Sequence, residues 1–460
     1  MAGRLTRREF NQRLMQGFAV AAAAPLAAEQ LARTQPPPEP PVRCVPRLVD
    51  TDRLRLTLEE LSRFGAQAGG GTTRLGFSPD DLAARNWMME RLRNEGLEVS
   101  IDAAANIRAR RAGQRDDWPA LWFGSHMDTV PSGGNFDGCV GSMGALEVVR
   151  TLNENTMRTQ HSLELVIFTN EEGVHYGRGL FGSRAVAGLV PPEELDVVDD
   201  AGVKLREWIK RYGGDPDRLS EMTPAPGSLH SYLELHIEQG GVLWSRGLPL
   251  GIVEGIVGIN EYTVVLEGFA NHAGTTPMNQ RRDALVTASK FILAVRELVT
   301  AEPGRQVGTV GVVHVEPGAP NVIPGRVTLN VELRDLSLEK IDALGERIRE
   351  RGAQLAADDD VTFSMEKRIS YQPALTDRRI RFQIQKVAED MRAPVLTLPS
   401  GAGHDAQNMA RLCPIGMIFV PSVEGISHSP QERSRWEEIA CGAEALYRTL
   451  LRLDQLERLA

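Results

Sequence analysis

A chain of 460 residues is long enough for two or three domains, each with a buried core. Its composition is globular, with 42% hydrophobic and 25% charged residues. A net charge of −9 argues against a nucleic-acid-binding protein, which usually carries a basic surface.

The chain begins with a segment that is typical of an export signal. Arg7 and Arg8 precede Phe10, and a short apolar run over residues 18–28 ends in small residues. This pattern predicts a twin-arginine signal peptide over residues 1–31, and hence a periplasmic protein. The alternative is a disordered arginine-rich tail on a cytoplasmic protein. A proline-rich linker is expected over residues 32–47, and no stable membrane anchor is expected beyond it.

The four cysteines are widely scattered and include no Cys-x-x-Cys pair. They fit neither a thiolate zinc site nor a disulfide framework. Whether any two of them form a single bridge stays open.

From about residue 52, predicted strands alternate with predicted helices. Residues 121–125 and 163–169 are apolar runs, and residues 140–155 between them carry apolar side chains at helical spacing. Buried strands separated by helices predict an α/β fold with a mostly parallel sheet. In such a sheet, ligands bind beyond the carboxyl ends of the strands.

Residues 258–369 show a different order of elements. Strands are predicted over 261–268, 308–316, 326–335 and 361–369, with one helix capped by Asp283 and a second over 338–357. The order β-α-β-β-α-β is that of a ferredoxin-like unit. Because chemistry-bearing motifs resume at residue 399, we predict one catalytic domain in two parts, 48–256 and 371–460. A lid or dimerisation domain, 257–370, is inserted between them.

The adjacent carboxylates Glu171 and Glu172 follow one of the apolar runs. Two neighbouring carboxylates repel each other, so the pair indicates two different roles. We expect one carboxylate to ligate a metal ion and the other to take a proton from a water molecule.

Five of the nine histidines lie in glycine-rich or acidic loop contexts: His126, His236, His272, His404 and His428. Imidazoles combined with carboxylates, and without thiolates, suit Zn²⁺, Mn²⁺, Co²⁺ or Ni²⁺. Asp137, flanked by glycines, is the natural bridge between two such ions about 4 Å apart. Asp128 is expected to accept the free imidazole N–H of His126, although a turn-capping role is the alternative.

Nine motifs in a fixed order carry a specific resemblance over about residues 50–450. They are GSHMDT (124–129), GNFDG (134–138), NEEG (170–173), ELHIEQG (234–240), NHAGTTPM (271–278), PNVIPG (320–325), ELRD (332–335), SGAGHDA (400–406) and SHS (427–429). The chain resembles the M20-type amidohydrolases, in the branch of N-carbamoyl-L-amino acid hydrolase, β-ureidopropionase and allantoate amidohydrolase.

The resemblance implies a dinuclear metal centre and its base. Carried over position by position, one divalent ion is held by His126 and His236 and the other by Glu172 and His428. Asp137 lies between the two ions. Glu171 matches the general base. Asp128 and His404 are expected to contact the metal-ligating residues and hold them in place without binding the metal themselves.

The resemblance also implies a substrate site in a homodimer. His272, Asn321 and Arg334 match substrate-binding residues of the smaller domain, with His272 also acting in catalysis in the neighbouring subunit's site. Gln239 matches a polar contact beside the metals. The alternatives stay open: a turn-capping histidine, a turn asparagine, and a salt bridge of Arg334 with Asp335 or Glu332.

We therefore expect metal-dependent hydrolysis of a linear C–N amide in a small carbamoyl or ureido substrate. The favoured substrate is an N-carbamoyl-L-amino acid, which would yield the amino acid, ammonia and carbon dioxide. Allantoate amidohydrolase, β-ureidopropionase, or aminoacylase or dipeptidase activities are alternatives, and a non-catalytic binding protein is another. Departures from the family pattern at residues 174–176 and 240–241 leave the substrate side chain open.

Overall fold

The computed structural model describes residue 44 and residues 46–459, so the predicted signal peptide and nearly all of the predicted linker lie outside the described residues. The strands are β1 (Glu98–Ile101), β2 (Ile107–Arg111), β3 (Ala120–His126), β4 (Leu163–Phe168), β5 (Leu229–Ile237), β6 (Leu250–Ile256), β7 (Gly258–Glu267), β8 (Val307–Thr309), β9 (Val313–Glu316), β10 (Arg326–Asp335), β11 (Thr362–Tyr371), β12 (Ala374–Leu375), β13 (Val395–Ser400) and β14 (Ile415–Val420). The α-helices are α1 (Thr51–Leu61), α2 (Pro79–Asn94), α3 (Cys139–Glu154), α4 (Phe181–Val186), α5 (Leu205–Arg211), α6 (Val242–Arg246), α7 (Ala284–Ala301), α8 (Leu338–Asp358), α9 (Arg378–Met391), α10 (Asp405–Met409) and α11 (Trp436–Leu453).

The larger sheet has the strand order β1-β2-β4-β3-β5-β14-β6-β12, and β13 pairs with β6. Its centre, β4-β3-β5-β14, is parallel, and every residue of β4, β5 and β14 is buried. The predicted α/β class is confirmed, but the sheet is mixed rather than mostly parallel. The outer strands pair antiparallel, and the short connection of residues 102–106 between β1 and β2 permits only a hairpin there.

The smaller sheet has the order β11-β7-β10-β8, with β9 also paired to β10, and all of its pairs are antiparallel. Helices α7 and α8 pack their apolar sides against it, with Phe291 and Ile348 in the core. The Asp283 carboxylate caps α7 by accepting the N–H groups of Leu285 and Val286. The ferredoxin-like prediction is confirmed.

One predicted strand of this sheet is interrupted. The predicted strand over 308–316 is two short strands, β8 and β9, and the register against β10 slips by one residue between them. The side-chain oxygen of Asn330 accepts the N–H groups of Gly311 and Val312 at 3.2 and 2.7 Å. A side chain therefore replaces the backbone partner at this point.

Cys44 and Cys441 form a disulfide, which settles a pairing that the sequence left open. It joins the first described residue to α11. Cys139 and Cys413 are buried free thiols. None of the described helices combines the length and the apolar composition that crossing a bilayer requires.

Candidate metal centre and active site

The parallel strands deliver the predicted ligands to one edge of the larger sheet. His126 is the last residue of β3 and pairs in register with Phe168, the last residue of β4. Glu171 and Glu172 follow β4 directly, and His236 lies near the end of β5, opposite Phe419 of β14. Because these strand ends are neighbours, their side chains converge.

Asp137 lies at the centre of this cluster. Its Oδ1 atom is 3.2 Å from His236 Nε2 and 3.8 Å from His126 Nε2. Its Oδ2 atom is 3.2 Å from His428 Nε2, which is in turn 3.7 Å from Glu172 Oε1. The residues thus form two potential metal-ligand groups, His126-Asp137-His236 and Asp137-Glu172-His428, which share the aspartate.

The backbone fixes which imidazole nitrogen faces this centre. His126 Nδ1 lies 3.1 Å from the carbonyl oxygen of Asp128, and His236 Nδ1 lies 2.9 Å from that of Ile237. A carbonyl oxygen only accepts, so both Nδ1 atoms carry the proton. The Nε2 atoms are left to face Asp137.

The Asp128 carboxylate has a different role from the one predicted. At 3.7 Å, its Oδ1 atom is too far from His126 Nδ1 for a hydrogen bond. Its two oxygens instead accept the backbone N–H groups of Glu171 and Glu172, at 3.2 and 3.1 Å. The prediction that this carboxylate accepts the imidazole N–H is therefore wrong, and Asp128 holds the glutamate pair.

Burial and mutual charge shift the pKa values of the cluster. Burial lowers the pKa of His126 to about 4. Burial would also lower the pKa of His236, but the hydrogen bond and charge of Asp137 outweigh it and raise that pKa to about 9. Burial raises the pKa of Glu171 well above its usual range, and the adjacent Glu172 adds to the shift. Burial and Asp137 do the same to the pKa of Glu172.

These residues fit divalent cations. Three carboxylates, Asp137, Glu171 and Glu172, are gathered in a buried site, where uncompensated negative charge is unfavourable. Glu172 Oε1 is buried and has no hydrogen-bond partner among the described residues. Divalent cations held by these residues would compensate both the charge and the unpaired oxygen.

Glu171 belongs to neither ligand group, although its Oε2 atom is only 3.8 Å from His126 Nε2. Its carboxylate therefore lies beside the two groups and outside both. Gly138 allows the close approach of the ligand loop: it has a φ of +64°, and a Cβ at this position would lie 2.3 Å from the His126 ring.

Two further predicted residues contact the ligands. Gln239 Nε2 donates to Asp137 Oδ2 at 2.7 Å, which orients the aspartate. The His404 ring packs edge-on against that of His236, with 4.4 Å between centroids, and its Nε2 lies 2.7 Å from Ser400 Oγ. His404 thus packs against the predicted ligand His236 but belongs to neither of the two groups around Asp137.

The predicted substrate residues of the smaller domain are not brought to the cluster. Exposed His272 accepts the N–H groups of Gly274 and Thr275 on its Nδ1 atom, which caps its own turn. Exposed Asn321 accepts the Ala273 N–H on its carbonyl oxygen. Within residues 46–459, no hydrogen bond or ion pair joins His272 or Asn321 to the ligands, and their roles stay predictions.

Arg334 connects the two sheets. Its Nε donates to Glu332 Oε1 at 2.7 Å, which is one of the salt bridges left open by the sequence. Its Nη1 donates to the carbonyl oxygen of Gly401, within the SGAGHDA motif, at 2.6 Å. The guanidinium therefore lies at the junction between the inserted domain and the catalytic sheet.

The sequence analysis missed Ser427 and Glu432. Ser427 Oγ is 3.1 Å from Asp137 Oδ2 and 2.8 Å from Glu432 Oε2, and Glu432 is buried beside the centre. The signal available was a glutamate four residues after His428 in SHSPQE, which alone would not distinguish it from a surface residue.

Comparisons with known proteins relate the chain to one protein family. Residues 122–452 match Peptidase family M20/M25/M40. The chain is 42% identical over 410 residues to the N-carbamoyl-L-amino acid amidohydrolase of Geobacillus stearothermophilus, covering 89% of this chain and all of that protein. It is 32% identical to the allantoate amidohydrolase of Escherichia coli (strain K12), covering 86% and 96% of the two chains.

Solved structures show the same fold. An amidase of the hydantoinase/carbamoylase family from Burkholderia multivorans superposes with a TM-score of 0.83 at 34% identity. The match covers 90% of this chain and 99% of that one.

Proposed function

The chain belongs to peptidase family M20/M25/M40, and we propose that it is a metal-dependent amidohydrolase that cleaves the carbamoyl C–N bond of an N-carbamoyl-L-amino acid. The central support is the position of Asp137 between His126 and His236 on one side and Glu172 and His428 on the other. The 42% identity to an N-carbamoyl-L-amino acid amidohydrolase over nearly the whole chain supports the substrate class.

The two ligand groups would hold two divalent cations per subunit, Zn²⁺ or Mn²⁺, with Co²⁺ or Ni²⁺ as further options. When bound, such ions polarise the scissile carbonyl group and make the attacking water more acidic. Gln239 orients the shared aspartate from the side away from the histidines of β3 and β5, and Ser427 Oγ lies between Asp137 and Glu432.

Glu171 would carry the proton. It takes a proton from the attacking water and returns it to the departing amine nitrogen of the amino acid. Glu171 suits this role because its carboxylate lies beside the two ligand groups and belongs to neither. The carbamic acid that is released decomposes to ammonia and carbon dioxide.

Arg334 would bind the substrate carboxylate, because a planar guanidinium can donate two parallel hydrogen bonds to it. Its present acceptors are one carboxylate and one backbone carbonyl, so a substrate would have to displace Glu332 or share the guanidinium with it. Closure of the inserted domain over the catalytic sheet would complete the site.

A homodimer would supply His272. In the smaller sheet, β8 and β9 form an outer edge that exposes Val307, Val312 and Val313. An exposed apolar edge is a surface that a second copy can cover. His272 lies on an exposed turn of the same domain, from which it could enter the partner's site.

Export through a twin-arginine signal to the periplasm is also proposed. Disulfides persist in oxidising compartments, and Cys44, which lies within the predicted linker, is bonded to Cys441. A protein that remained in a reducing cytoplasm would be expected to lack this bond.

Ammonia release by the purified, metal-reconstituted protein tests the function. The panel consists of N-carbamoyl-L-amino acids, their D-enantiomers, N-carbamoyl-β-alanine, allantoate and an N-acetyl amino acid, for which acetate is measured instead. We expect the highest kcat/KM with an N-carbamoyl-L-amino acid. A preference for allantoate would favour the activity of the E. coli relative. Failure to release ammonia from any ureido compound would contradict the proposal.

A further inference from the structure

Glu432 is a buried carboxylate beside the metal-ligand groups that belongs to neither. Its Oε1 atom accepts the backbone N–H groups of Phe136 and Asp137 at 2.9 and 3.1 Å. Its Oε2 atom accepts the Ser427 hydroxyl at 2.8 Å and the His428 N–H at 3.3 Å. One side chain thus holds the backbone on both sides of the centre.

The two loops that Glu432 joins are far apart in the chain. Asp137 lies between β3 and α3, and His428 lies between β14 and α11, so they come from the two separate parts of the predicted catalytic domain. Gly134 makes the approach possible, since a Cβ there would lie 2.2 Å from Glu432 Oε1. A larger residue at position 134 would therefore collide with the Glu432 carboxylate.

The ligands differ in how much they depend on such support. His126 and His236 lie on strands of the sheet and are almost completely buried. His428 lies on a loop, its side chain is half exposed, and its φ is +54°. A ligand on a loop needs a separate device to hold it before a cation binds.

We propose that Glu432 is the positioning residue of the Asp137-Glu172-His428 half of the metal centre. By binding the N–H groups of both Asp137 and His428, it sets their separation before a cation arrives. A carboxylate suits this position because all four neighbours donate and it accepts at both ends. In Glu432→Gln, one end becomes an NH₂ group that faces N–H donors. The inference rests on the proposed dinuclear centre and deepens it.

Metal titration tests this role. Metal-free wild type, Glu432→Gln and Glu432→Asp are titrated with Zn²⁺ and, separately, with Mn²⁺, and binding is followed by calorimetry and elemental analysis. We expect wild type to bind two equivalents, and Glu432→Gln to lose about 10- to 100-fold in affinity for one of them only. Glu432→Asp keeps the charge but is one methylene shorter, so we expect a smaller loss of affinity for the same metal equivalent. Exposed Glu437, five residues further on, provides the control Glu437→Gln, which should match wild type.

Unchanged affinities in both Glu432 variants would overturn the proposal. An equal loss of affinity for both metal equivalents, together with a lowered Tm, would also overturn it, because that result indicates general destabilisation. If Glu432→Gln does not fold, Glu432→Asp alone decides the question by the same criteria. If wild type binds a single ion, the dinuclear proposal fails. The positioning role of Glu432 then stands only if its variants lower the affinity for that ion.

Discussion

Glu171 and Glu172 are adjacent in sequence but differ in their surroundings. Glu172 shares a ligand group with His428, whereas Glu171 belongs to none. We predict that Glu171→Gln keeps both metal ions and loses about 10²- to 10⁴-fold in kcat, because the amide cannot accept the proton of the attacking water. Elemental analysis and steady-state ammonia release measure the two quantities. Glu193→Gln, at an exposed site, is the control, and substantial residual turnover of Glu171→Gln would contradict its role as the base.

Asp81 gives the folded protein a pH dependence that is separate from catalysis. It is buried, accepts a hydrogen bond from the Tyr212 hydroxyl at 2.9 Å, and burial raises its pKa to about 6. The folded chain therefore binds this proton more tightly than the unfolded chain, whose aspartate pKa is about 3.9. The contribution to stability is complete below about pH 4 and is lost as pH rises through about 6.

We predict that Asp81→Asn removes this dependence. Relative to the variant, the free energy of unfolding of wild type should fall by about 2–3 kcal/mol between pH 4 and pH 7. Urea unfolding of both proteins in metal-free form, at several pH values, provides the measurement. A stability difference that stays constant over this range would show that Asp81 does not titrate as proposed.

Single residues also show which parts of the site the sequence could predict and which it could not. The convergence of His126, Glu171 and His236 could be predicted because each follows an apolar run and parallel strands end at one edge. The partner of the Asp128 carboxylate could not. A spacing of two residues favoured its own neighbour His126, whereas the pairing of β3 with β4 brings the Glu171 and Glu172 amides closer.

At the scale of elements, strand β10 was predicted with its observed limits, while its neighbour was not. Alternating side chains define one face of Arg326–Asp335. The break between β8 and β9 depends on the Asn330 side chain, which belongs to the other strand. The sequence of residues 308–316 does not show that a side chain of another strand binds their backbone. The interruption could therefore be seen only once the pairing with β10 was known.

Strand β10 also carries Arg334 to the junction of the two sheets. We predict that Arg334→Ala lowers kcat/KM about 10- to 100-fold, since hydrogen bonds to a charged group contribute about 1.5–3 kcal/mol. Arg334→Lys should restore only part of the lost kcat/KM, because an ammonium group cannot form the two parallel hydrogen bonds that a guanidinium forms with a carboxylate. The comparison substrate is an N-carbamoyl amine without a carboxylate, for which wild type and variants should be similar. An equal loss with both substrates would indicate that Arg334 acts only through Glu332 and Gly401.

At the scale of the whole molecule, the proposed exchange of His272 between subunits has a direct test. Glu171→Gln and His272→Ala proteins are each expected to be inactive. A heterodimer of the two is purified through two different tags. If His272 acts in the partner's site, one of the two sites then combines an intact Glu171 with an intact His272. We predict about half of the wild-type activity for this heterodimer, as expected for one working site in a two-fold dimer. If His272 acts within its own subunit, the heterodimer stays inactive.

The bond between Cys44 and Cys441 closes most of the chain into one covalent ring, with 397 residues of sequence separation between its ends. A protease that cuts a single surface loop within this ring produces two pieces that remain tethered. Such nicked molecules would migrate as one species on a non-reducing gel and separate only after a thiol is added. In a compartment rich in proteases, the ring would let a once-cut enzyme keep both parts of its metal centre together.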